Sequence, residues 1–97
     1  MGNENMREGM RLAPVVGLVK QNICFRECAK IIKIAEETGC HISITAGSRK
    51  GTTDSLLSLV QLGLTPGRTV VLSATGQAPE LAFRDCLKVL DGGAAAA

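Results

Sequence analysis

The apolar residues of this chain switch repeatedly between helical and alternating spacing, and the order of those switches limits the fold more than any single motif does. Phe25, Cys28, Ile31, Ile32 and Ala35 recur at helical spacing, as do Ala82, Phe83, Cys86, Val89 and Leu90. Between and before them lie strand-like runs. Residues 12–20 read LAPVVGLVK, residues 40–45 alternate as CHISIT with Ile42 and Ile44 on one face, and residues 68–75 read RTVVLSAT with Val70, Leu72 and Ala74 on one face. Ala46-Gly47-Ser48 is a turn into the short polar run Arg49–Thr52, which suits a sheet edge. Thr53, Asp54 and Ser55 are three cap-type residues before LLSLVQL, a short helix that stops at Gly63. Asn22 offers a cap for the first long helix and Thr38-Gly39 closes it. Pro79 falls in the first turn of the last helix, where its missing donor costs nothing. The order is β-α-β-β-α-β-α, which predicts an α+β open-faced sandwich with the helices on one face of the sheet.

The chain has 97 residues, 45% of them hydrophobic, so it fits one domain with an ordinary core. The expected boundaries are a disordered N-terminal extension over 1–9, the domain over 10–92 and a disordered tail over 93–97. A net charge of +2 with scattered basic residues, and only 2% aromatics, give no footprint for nucleic acid. No apolar run is long enough to insert in a membrane, and the first residues lack the apolar centre of a signal peptide, so the expected compartment is the cytoplasm. Cys24, Cys28, Cys40 and Cys86 are then expected as free thiols. None of them forms a C-x-x-C pair, so neither zinc nor any other cofactor is expected. Cys28 and Cys86 read as small core residues, and His41 as a strand residue with a solvent or backbone partner. No G-x-G-x-x-G or Walker glycine pattern is present.

The second half, TTDSLLSLVQLGLTPGRTVVLSATGQ, resembles HPr, the small phosphocarrier family of the bacterial phosphoenolpyruvate:sugar phosphotransferase system. The shared order is a short serine-opened helix, a Gly turn and a strand ending in Ala-x-Gly, here Ala74-Thr75-Gly76. Carried upstream without gaps, the resemblance reaches about Met10 and sets Asn22-Ile23-Cys24-Phe25-Arg26-Glu27 over the family loop Gly-Leu-His-x-Arg-Pro. It implies the HPr-like fold, a four-stranded antiparallel sheet covered on one face by three helices. In the family that histidine takes phosphate from enzyme I and hands it to a sugar permease component. Here Cys24 stands in its place, Asn22 replaces the glycine and Glu27 replaces the proline, while Arg26 is retained. The one histidine, His41, falls far along the helix from that loop.

A helix start with a guanidinium beside it receives anions well, and the same field favours a thiolate. Cys24 is therefore a candidate acceptor of a phosphoryl group or of oxidation, beside the plainer reading of a small residue filling the helix start. Ser55 matches the serine that an ATP-dependent HPr kinase modifies in low-GC Gram-positive bacteria to control carbon catabolite repression, and it is equally an ordinary cap. Leu56, Leu57 and Val60 match the apolar positions through which family members dock partners, together with Arg26. The resemblance thus implies a bacterial, cytoplasmic regulatory or adaptor module that is not itself an enzyme and lacks histidyl phosphotransfer. Its implied partners are enzyme I, sugar permease components, and HPr kinase or a transcription regulator. A phosphoryl carrier using Cys24, or a thiol-based redox-responsive interaction domain, are the alternatives.

Overall fold

The computed structural model describes residues 10, 11 and 13–92; the segments expected to be disordered, 1–9 and 93–97, lie outside the described residues, as does Leu12. The chain forms β1 (Met10–Arg11), β2 (Val15–Leu18), α1 (Phe25–Thr38), β3 (Cys40–Ala46), β4 (Arg49–Thr52), α2 (Leu56–Val60), β5 (Thr69–Gly76) and α3 (Pro79–Asp91). All strand pairs are antiparallel, in the order β1-β5-β3-β4 with β2 also on β5.

The expected first strand, Leu12–Lys20, is shorter and in two pieces. Arg11 faces Thr75 and Val15 faces Leu72, so four steps on one strand match three on the other. One extra residue is absorbed around Pro14, whose missing N–H cannot serve a ladder. β1 and β2 are therefore two parts of one edge strand, and the sheet has the expected four-stranded layout. The polar β4 forms the opposite edge, as its composition predicts.

Alternation decides which side of the sheet is covered. Val70, Leu72 and Ala74 of β5 and Ile42, Ile44 and Ala46 of β3 are buried under the helices. They meet Cys28, Ile31, Ile34 and Ala35 of α1, Leu59 of α2, and Ala82, Phe83, Cys86, Val89 and Leu90 of α3. The other face is open, leaving Val16, Leu18 and Val71 exposed. The helical stripe expected for α1 differs from the observed one at three positions. Ile34 joins the core, Ile32 is only half-buried, and Phe25, at the first helical position, is 63% exposed one turn before the first core residue.

Gly39 ends α1 in the left-handed conformation, at φ 64°, and its N–H donates to the Ala35 and Glu36 carbonyls. Burial pushes the Cys28 thiol up to about 11 and the Cys86 thiol up to about 12, so both remain protonated and serve as small core residues. All four cysteines are free. Among the described residues no helix is long and apolar enough to cross a membrane.

Candidate functional site

The loop that leads into α1 is tied down before the helix begins. Val19 and Ile23 are buried, and their N–H groups donate to the carbonyls of Arg68 at 2.8 Å and Leu64 at 3.0 Å. Between them, Lys20 N–H donates to the Leu90 carbonyl at 2.8 Å and the Gln21 amide to the Val89 carbonyl at 2.6 Å. Residues 19–23 are thus anchored to the β5 approach and to the end of α3, which fixes where the next residue stands.

That residue is Cys24, which caps α1 with extended backbone angles, φ −97° and ψ −162°. The expected cap, Asn22, is displaced by two residues. The reason is Glu27: its carboxylate turns back and accepts the Cys24 N–H at 2.9 Å. An acidic residue three positions after the cap satisfies a donor that the helix itself cannot. Hydrogen bonds from the backbone N–H of Cys24 and of Glu27 itself, with Arg26 and Lys30 nearby as smaller contributors, hold this carboxyl below the usual range. Cys24, Phe25 and Arg26 are all exposed, and Arg26 forms no ion pair among the described residues.

His41 sits at the start of β3, beyond the far end of α1, so a helix of about 21 Å separates it from Cys24. Its partner is not backbone: His41 Nδ1 lies 3.4 Å from Asp54 Oδ2.

Of the three cap-type residues before α2, Ser55 holds the cap, its hydroxyl accepting the Ser58 N–H at 3.2 Å. Thr53 instead accepts the Ile42 N–H, and Asp54 faces His41. The Ser58 hydroxyl joins α2 to the sheet, accepting the Thr52 N–H at 3.0 Å and donating to the Ser55 carbonyl at 2.7 Å. Gly51 lets the helix lie this close, because a Cβ there would fall 2.8 Å from the Ser58 carbonyl oxygen. On α2 the three apolar candidates part company. Leu56 and Val60 are half-buried and pack against the core, whereas Leu57 is 63% exposed.

Among the residues named from the sequence, Cys24 and Arg26 both stand exposed at the start of α1. Ser55 and Leu57 belong to the neighbouring α2, which packs against α1. Two participants were missed. Glu27 stands three residues after Cys24, the spacing of an acidic capping partner, but Asn22 is the better cap former and draws the expected helix start away from it. Phe25 fitted the apolar stripe by spacing, and only its place at the helix end exposes it. Among the described residues no cluster of His, Cys, Asp and Glu could hold a metal ion.

An open-faced sheet under three helices, with a capped helix start beside a short second helix, defines a small α+β sandwich domain. A family model described as the phosphorylation site of the phosphotransferase-system HPr component matches residues 19–91, well over half of the chain. The chain belongs to the HPr family. The crystal structure of HPr-C-His from Thermoanaerobacter tengcongensis is similar, with a TM-score of 0.70 and 22% identity over 84% of this chain and 93% of that one. The histidine-containing phosphocarrier protein of mycoplasma gives the same TM-score at 17% identity, over 84% of this chain and 96% of its own. At these identities both show the fold alone. No curated protein matches the sequence.

Proposed function

We propose that this HPr-family protein is a regulatory or adaptor module of the phosphotransferase system that docks family partners without histidyl phosphotransfer. The observation that supports this reading is that Cys24, which the sequence register sets over the family's histidine, holds the cap of α1, while the one histidine of the sequence sits beyond the other end of that helix. Incubation with phosphoenolpyruvate and enzyme I tests it, and an unchanged intact mass is the expected result. Catalysis of its own is not part of the reading. Enzyme I, a sugar permease component, HPr kinase and a transcription regulator are the partners it admits.

The docking surface of this reading is Phe25, Arg26 and Leu57. Two large apolar side chains, each 63% exposed on helices that pack together, and the exposed Arg26 guanidinium are the residue types that protein partners use, which supports this assignment. Leu57→Asp is expected to weaken partner binding by roughly tenfold or more, the scale of a central interface residue. Its denaturant midpoint should stay near wild type, because exposed substitutions change stability by about 0.5 kcal/mol or less. Calorimetric titration with each partner, run beside denaturant melts, reads both. Retained affinity would remove Leu57 from the surface, and serious unfolding would return it to the core.

Ser55 is proposed as the regulatory phosphorylation position on the same reading. Its hydroxyl is exposed, and a phosphate there adds nearly two negative charges beside Phe25's neighbour helix and close to Asp54. HPr kinase with ATP is expected to label wild type and not Ser55→Ala. No label, with a genuine HPr labelled alongside, would remove the assignment.

A further inference from the structure

We infer that Glu27 sets what the start of α1 admits: its carboxylate stands where an external oxyanion would bind and turns such anions away from Cys24. The inference deepens the proposed function and takes from it only the assignment of residues 22–27 as the helix-start loop. The first turn of a helix offers a small set of unpaired N–H groups and a partial positive charge, worth most to one anion held close. Here an internal carboxylate already accepts the Cys24 N–H at 2.9 Å. The lowered pKa of the Glu27 carboxyl, whose first cause is the hydrogen bond from the Cys24 N–H, agrees with that contact and favours the charged form. Arg26 and Lys30 face the same turn, yet neither lies within ion-pair distance of the carboxylate. Neither neutralises it by direct contact, so an incoming phosphate or carboxylate meets a like charge and a donor already in use.

Cys24 is exposed and reports this field directly. Iodoacetate and iodoacetamide alkylate a thiolate by the same displacement of iodide and differ in charge, so the ratio of their rates at Cys24 cancels any change in the thiol itself. Glu27→Gln keeps an acceptor for the Cys24 N–H and removes only the charge. The iodoacetate-to-iodoacetamide ratio, followed by mass mapping of the Cys24 peptide, is expected to rise about fivefold at low ionic strength, one unit charge at contact distance in water. Added salt should shrink that rise. Glu36→Gln, in the last turn of the same helix, is expected to leave the ratio unchanged. A Glu27→Gln ratio equal to or below wild type, or an equal rise in Glu36→Gln, would overturn the inference. A phosphoryl adduct at His41 would sink the proposed function alone, an adduct at Cys24 would sink both, and a flat ratio with no adduct would overturn this inference alone, so the failures are distinguishable.

Discussion

Cys24→His combined with Glu27→Ala is expected to take a phosphoryl group from phosphoenolpyruvate through enzyme I, and Cys24→His alone to be labelled far more slowly. Restoring the imidazole supplies an acceptor, but a phosphoryl group on it carries charge that must be received by the first-turn N–H groups of α1 and by Arg26. In the single variant the Glu27 carboxylate still accepts the Cys24-position N–H, as it does in wild type. A hydrogen bond to a charged group contributes about 1.5–3 kcal/mol, so its loss to the incoming anion slows labelling roughly tenfold or more. Removing Glu27 also removes a cap, which costs about 1 kcal/mol, too little to unfold a domain of ordinary stability. Labelling of purified variants, followed by intact mass over time, separates the two effects. Equal rates for the single and double variants would show that Glu27 does not compete with phosphate. A double variant left unlabelled, beside a genuine HPr that is labelled, would remove residues 22–27 from the family's site.

Gly76→Ala should be the most damaging single methyl in the domain. Gly76 ends β5 at φ 145°, a region that side chains rarely enter, and faces both Met10 of β1 and Cys40 of β3. A Cβ there would stand 2.1 Å from the Gly39 carbonyl oxygen and 2.6 Å from the Cys40 Cα. Both obstacles are backbone, so no rotamer change relieves them, and Gly39 is itself the cap that ends α1. Backbone strain and overpacking together are expected to cost about 3 kcal/mol or more. Denaturant unfolding at equilibrium measures it. A loss below about 1 kcal/mol would mean that the α1–β3 junction yields more easily than its packing implies.

The architecture was legible because its signals are periodic. Ile42 with Ile44, and Val70 with Leu72 and Ala74, alternate in and out of the core as written, and the stripe of α3 is buried at all five of its expected positions. Register alone made position 24 a candidate, and the structure adds that this residue is exposed and caps α1. What escaped depends on geometry that spacing does not encode. Asn22 is the better cap former in isolation, yet the Glu27 carboxylate on the Cys24 N–H, with residues 19–23 anchored ahead of it, carries the helix start on to Cys24. Leu56, Leu57 and Val60 are equivalent in composition, and the docking of α2 over Gly51 separates the one exposed leucine from two that pack inward. His41 and Asp54 lie thirteen positions apart and meet only because the β3–β4 hairpin folds back. The break in the edge strand had a visible cause in Pro14, but its one-residue shift emerges only from pairing with β5.

Under the proposed function this chain keeps the family's fold and not its histidyl phosphotransfer. Intact-mass measurement of the wild-type chain after incubation with phosphoenolpyruvate and enzyme I, with a genuine HPr in the same tube as an internal standard, tests it most directly. The standard is expected to gain one phosphoryl group, and this chain's mass to stay unchanged. A phosphoryl adduct on this chain, mapped to Cys24 or to His41, would contradict it.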